Sequence, residues 1–157
     1  MDTLAAWDRE PHVIFCTGSD ADEETDWAEE LAQLGPWGRV LIAELHDGPM
    51  PRPIACVQII NPAAEPTHYW GATARHESRA IDIWIGPAGE LGRGHGTEIM
   101  RQVIDSCFAD PAVEEIVIDP LEINTRARKF YERLGFVEVG PRKFGDDQCV
   151  VYRLGRP

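Results

Sequence analysis

The chain has 157 residues, 43% of them apolar, which suits one folded domain with its own core and excludes a disordered chain. No apolar run is long enough to cross a bilayer, and the N-terminus lacks a basic region followed by an apolar stretch, so neither a membrane anchor nor a secretory signal is expected. A net charge of −12 argues against nucleic acid as a partner.

In chain order, residues 3–9 read as a short helix, and 10–19 as a loop interrupted by Pro11 and Gly18. Residues 20–34 place Trp27, Leu31 and Leu34 on one helical face and stop at Gly35. Residues 39–45 and 53–60 read as an antiparallel strand pair turning around His46, Asp47 and Gly48. The stretch 61–78 is polar and irregular, with Tyr69 and Trp70 inside it. Residues 80–86 form a strand with Ile81, Ile83 and Ile85 on one face and Asp82 and Trp84 on the other. A glycine-rich turn leads into a helix ending near 108, whose apolar stripe is Ile99, Met100, Val103, Ile104, Cys107 and Phe108. Residues 112–119 are a strand, with Glu114 and Glu115 expected in solvent. Residues 124–134 are a helix stopped by Gly135, and 136–139 and 148–154 are closing strands joined through 140–147. The sum is a mixed α/β (α+β) domain. Its central strand-helix-strand-helix run requires some parallel pairing.

Charge and cysteines add little chemistry on their own. Residues 1–37 hold ten acids against one base, Arg9, whereas Arg126, Arg128, Lys129, Arg133, Arg142 and Lys143 crowd residues 126–143. The acidic run reads first as a solvated surface. Cys16, Cys56, Cys107 and Cys149 form no CxxC, and the five histidines form no metal or triad spacing. Reduced thiols in a cytoplasmic protein without a metal are expected.

The turn LGRGHG, residues 91–96, is the strongest local signal. A helix N-terminus exposes unpaired N–H groups at the positive end of the dipole, and glycines let the main chain approach a ligand. Together these make an anion seat suited to phosphate. The spacing is not a Walker loop, and Thr97 stands where a dinucleotide fingerprint needs its last glycine.

This turn, from Leu91 through Gly92, Arg93, Gly94, His95 and Gly96, resembles the [QR]xxGx[GA] loop of the GNAT superfamily of N-acetyltransferases, with Leu91 in place of Gln or Arg. After an intervening strand, Asn124, Ala127, Tyr131, Gly135 and Phe136 match that family's Asn-xx-Ala-xxx-Tyr-xxx-Gly-Phe pattern. The likeness covers roughly residues 38–154. In spacing it is nearest the aminoglycoside 6′-N-acetyltransferases and siderophore acyltransferases. It implies a central sheet of about six strands flanked by about four helices, here without the family's first strand. The uncovered sheet edge would suit a second subunit. It implies acetyl-CoA as co-substrate, held by amides from Arg93 to Thr97, by the main chain around Ile83, Trp84 and Ile85, and by Asn124, Ala127 and Arg128. His12, Tyr69 and Trp70 would frame the acceptor, while Cys16 and Thr17 replace tryptophans usual after the Pro-His-Val segment.

Acetyl transfer to an amine needs a deprotonated amine, a polarised carbonyl and a protonated leaving sulfur. Asp82, inside an apolar strand, reads either as a structural carboxylate held by backbone or Arg79, or as the group that binds and deprotonates the amine. The resemblance favours the second. Asp119, at a strand C-terminus before Pro120, reads either as a turn residue or as a ligand to the acceptor. Tyr131 reads as a half-buried helix residue from composition, and as the acid to the thiolate from the resemblance. The expected function is N-acetyl transfer from acetyl-CoA to a small cationic amine: an amino sugar, a polyamine or a siderophore-type amine. The alternatives are an acyl-CoA sensor on the same fold and a protein N-acetyltransferase.

Overall fold

A computed structural model describes residues 2–18 and 25–157. Helices α1 (Asp2–Trp7), α2 (Pro11–Thr17) and α3 (Trp27–Gln33) precede strands β1 (Gly38–Leu45), β2 (Arg52–Ile60) and β3 (Ser78–Ile85). A 3-10 turn at Ala88–Glu90, helix α4 (His95–Phe108), β4 (Glu115–Ile118), α5 (Thr125–Arg133), β5 (Val137–Phe144) and β6 (Asp147–Gly155) follow. Among the described residues six strands lie in the order β1-β2-β3-β4-β6-β5, with β3 and β4 the only parallel pair. The mixed sheet and its central parallel pairing are as expected; the described residues hold five α-helices where about four were expected.

The extra helix is α2, expected as a loop. Pro11 and Gly18, taken there as breakers, are its punctuation. Proline is preorganised for the first helical turn, where its missing N–H costs nothing, and Gly18 ends the helix at φ 63°. The start of the helix expected over 20–34 lies outside the described residues. Its observed part begins at Trp27, capped by Asp26, whose carboxylate accepts from the amides of Ala28 and Glu29. Strand β5 runs to Phe144, well past the expected end. It passes through Pro141, which an edge strand tolerates because no neighbour waits for its missing N–H.

The sheet carries two apolar faces. On one, Val57, Ile59, Ile81, Ile116 and Ile118 pack under α4 and α5 through Met100, Val103, Cys107 and Tyr131. On the other, Cys56 and Trp84 meet Leu4, Trp7 and Trp27, and Ala80 meets Trp70, Leu121, Phe144 and Cys149. Gly86 ends β3 against the Trp7 ring. A Cβ there would sit 2.0 Å from the indole, so only glycine lets α1 close on the sheet.

The β3–β4 junction is held by a buried pair. Ser78 Oγ donates to Glu115 Oε1 at 2.6 Å, and the two residues are register partners. Glu115 is therefore not the solvated residue expected. Its carboxylate is paid for by this hydrogen bond and by Arg75 and Arg153 at 3.8 and 3.7 Å.

Candidate functional site

Strands β3 and β4 pair only from Ser78–Ala80 to Glu115–Val117, yet β3 continues to Ile85. Beyond Ala80 the sheet forks. The amide of Gly86 donates to Ile54 O at 2.9 Å, so by strand alternation the peptide groups of Asp82 and Trp84 face β2. Those of Ile83 and Ile85 face the open fork. Trp84 thus lies off the fork edge on which it was expected. Its peptide groups point away, and its ring packs on Trp27 at 6.0 Å, with the indole nitrogen buried and unpaired. His12 reaches over from α2 and donates from Nε2 to Ile85 O at 2.8 Å, closing one of the fork's main-chain acceptors.

At the fork's end stands the glycine turn. Gly92 and Gly94 adopt φ 74° and 90°, and a Cβ at either would meet nothing within 4 Å. The peptide N–H groups of residues 92–96 find no acceptor among the described residues. Thr97 does not share this freedom: its amide donates to Gly94 O at 3.0 Å. Four of the five amides expected to bind an anion, those of residues 93–96, are thus available, joined by that of Gly92. They sit at the positive end of a 14-residue helix. Leu91 is half-buried beneath the turn, its amide bonded to Ala88 O, and Gly96 passes within contact distance of the Phe130 ring on α5.

The second motif is placed differently from the implied contacts. Asn124 caps α5, its Oδ1 accepting from the Ala127 amide at 3.1 Å, while Nδ2 donates to Cys16 Sγ at 3.5 Å. Arg128 turns to Tyr152, Glu138 and Glu122 O, so its guanidinium is anchored within α5 and the last two strands. Tyr131 is buried between Phe130 and Phe136. Burial raises its phenol above the ordinary value, and the charges of Asp82, Asp119 and Cys16 raise it further, so it keeps its proton.

The acidic side chains gather on the sheet face opposite α4. Asp82 is exposed there, and with Asp119 it lies close enough for its charge to oppose the ionisation of Tyr131, Tyr69 and Cys149. Cys149 is pushed up to about 12, first by burial and then by these carboxylates. Tyr69 donates to Asp119 Oδ2 at 2.7 Å and stacks on Phe144 at 4.5 Å, nearly parallel. Arg142 lies over Phe144 at 4.5 Å and donates to Trp70 O at 2.7 Å. The turn holding Tyr69 is organised by buried Glu65, whose carboxylate accepts from the Thr67 amide and hydroxyl and from the Tyr69 amide. Asp119 itself is held above the usual carboxylate range by burial, against the Tyr69 hydrogen bond and the Arg142 charge, which lower it. Trp7 is core.

Sequence reading missed Glu90, Glu65, the Arg142–Phe144–Tyr69 stack and the Cys16–Asn124 contact. Glu90 had a usable signal, three and five residues before Arg93 and His95. Glu65 also bonds locally, to Thr67 and Tyr69, whereas the stack and the Cys16–Asn124 contact join segments up to 108 residues apart that no local pattern marks.

The described residues thus form a forked sheet, with bare main chain along one prong and a glycine-capped helix at its end. Residues 1–144 match the acetyltransferase (GNAT) domain, and the chain belongs to that family. A stretch of 72 residues is 36% identical to aminoglycoside N(6')-acetyltransferase type 1 of Klebsiella pneumoniae, covering 46% of this chain and about a third (36%) of that protein. The same identity links it to a kanamycin resistance protein of Rhizobium radiobacter, over 67% of that protein. Among solved structures, aminoglycoside acetyltransferase AAC(6')-Ib with ribostamycin and coenzyme A superposes at TM-score 0.84, with 27% identity over 99% of this chain and 87% of that one. Its complex with coenzyme A alone gives 0.81 and 28%, over 99% and 88%.

Proposed function

We propose that the protein is an N-acetyltransferase that moves the acetyl group of acetyl-CoA to the amine of a small cationic acceptor of the aminoglycoside kind. The observation that carries this is the pairing of two unlike surfaces across one fork. Unpaired amides at residues 92–96 and the open Ile83 edge lie on the donor side. Asp82 and Asp119 lie on the acceptor side. The donor residues fit the proposed ligand: the turn has the open space and free N–H groups a diphosphate needs, and a strand edge is free for an amide-bearing arm. The names of the relatives support the acceptor class.

When bound, acetyl-CoA supplies an activated thioester; the rest is done by this chain. The 92–96 amides hold the anionic end. An N–H of Ile83 or Ile85 faces the fork and polarises the carbonyl oxygen. Asp82 attracts the ammonium and takes its proton. The freed nitrogen then attacks the carbonyl carbon; the C–N bond forms and the C–S bond breaks. Tyr131, kept protonated by its surroundings, gives its proton to the departing sulfur and regains one from solvent, which also takes the surplus proton of the acylated nitrogen. The carboxylates also concentrate cations at the mouth.

The test is release of free CoA thiol from acetyl-CoA across a panel of amino sugars, polyamines and peptides carrying lysine. Release with an amino sugar, lost in Asp82→Asn, is expected. Tight acetyl-CoA binding with no release on any amine would make the chain a sensor and sink the proposal. Release on peptides alone would reassign the acceptor.

A further inference from the structure

We propose that Glu90 is the positioning residue that holds the 92–96 turn ready for a diphosphate. This rests on the reading of that turn as the anion seat. Glu90 ends the 3-10 turn before the glycines, and its carboxylate is buried, the residue being only 7% exposed. Oε1 accepts from Arg52 Nη1 at 2.8 Å; Oε2 accepts from Arg93 Nη1 at 3.1 Å and His95 Nε2 at 2.9 Å. These partners hold its carboxyl below the usual range, Arg52 foremost.

A buried carboxylate beside an anion seat opposes the ligand unless something offsets it. Here two arginines, Arg52 and Arg93, offset it, and Arg93 belongs to the turn. Arg93 and His95 alternate with Gly92, Gly94 and Gly96, and both side chains are drawn to one carboxylate. That fixes the side-chain side of the turn and leaves its amides, with no acceptor of their own, to face outward. No described side chain packs on Gly92 or Gly94, where an added Cβ would touch no described neighbour. Arg52 extends the anchor to the β1–β2 hairpin through Asp47 at 3.1 Å, so the turn is tied to the rigid sheet. Glu90 acts before binding, by removing the cost of ordering the turn.

The experiment compares wild type, Glu90→Gln and Gly94→Val. CoA affinity is measured by calorimetry, and kcat/KM is measured with acetyl-CoA and with acetyl-pantetheine, which lacks the diphosphate. Glu90→Gln keeps the side-chain volume, and the ratio of the two donors is insensitive to the fraction folded. CoA affinity should weaken about ten- to a hundredfold, the ordering of one or two side chains. The loss should appear in KM for acetyl-CoA more than in kcat, and acetyl-pantetheine should be used as wild type uses it. Wild-type CoA affinity in Glu90→Gln, with affinity lost in Gly94→Val, would overturn the role of Glu90 and leave the seat standing. Full affinity in both variants would overturn the seat as well. Equal losses on both donors would make Glu90 a general structural residue and end the proposal.

Discussion

The two walls of the fork are made of different material. The donor wall is main chain: the edge of β3 at Ile83 and the 92–96 turn, contiguous in sequence and fixed by Glu90 beneath. The acceptor wall is side chain, assembled from α2, the 61–77 segment, the ends of β3 and β4, and the β5–β6 hairpin. Main chain is the same whatever residues carry it, so a wall of amides suits a constant ligand. Side chains differ at every position, so a wall built from them is where a variable acceptor would be chosen.

The largest effect should come from Asp82→Asn. Loss of a proton acceptor at the amine is expected to lower kcat by about 10²–10⁴-fold while CoA affinity stays at the wild-type value. A parallel loss of CoA binding would mean that the walls are not separate. Tyr131→Phe follows, with kcat lower by about 10²-fold, the lower end of that range, because a thiolate leaves readily without full protonation. Its deficit should shrink with donors whose thiols are more acidic. A constant deficit across such donors would remove Tyr131 from the role of acid.

Gly94→Ala probes the donor wall more gently. At φ 90° an added Cβ costs about 1–2 kcal/mol in conformational strain. It meets no atom of the described residues within 4 Å, so it would stand in the way of a ligand on the turn. The melting temperature should fall by a few degrees and CoA should bind about tenfold more weakly, with the acceptor KM unchanged. Weaker acceptor binding instead would place the glycines on the wrong wall.

The same division explains what the sequence made legible. The glycine turn and the Asn124–Tyr131 motif are local, and the resemblance they carry pointed to the family and its sheet. Apolar alternation in β3 placed Asp82 and Trp84 on one face, and the structure keeps them there. What stayed hidden depends on contacts between distant segments. Tyr69 meets Asp119 fifty residues away, and Arg142 reaches Trp70 across seventy-two. Arg128 looked free to meet phosphate because its partners, Tyr152 and Glu138, come from later strands. Glu115 looked solvated because nothing local shows that Ser78 will lie opposite it. Helix α2 was misread for another reason. Proline and glycine both break and bound helices, and only position decides which.

The smallest predicted effect concerns the stability cost of the acceptor wall. Burial holds the Asp119 carboxyl above its ordinary value, so between the unfolded and folded values the native protein keeps a proton that the unfolded chain has released. Stability from this residue is therefore present below the unfolded value and fades as pH rises through the folded one. Above the folded value the fold carries an ionised, poorly solvated carboxylate, which is useful for holding a cation and unfavourable for folding. Asn at this position keeps an oxygen to accept from Tyr69 and has no charge to desolvate. Asp119→Asn should thus gain on wild type as pH rises through the folded value, with the two curves converging in acid, while acceptor KM rises. A cationic acceptor should stabilise wild type more than the variant, because it adds countercharge to that of Arg142 at Asp119. Melting curves that run parallel at every pH would show that Asp119 is already neutralised within the protein. The acceptor wall would then owe its charge to Asp82 alone.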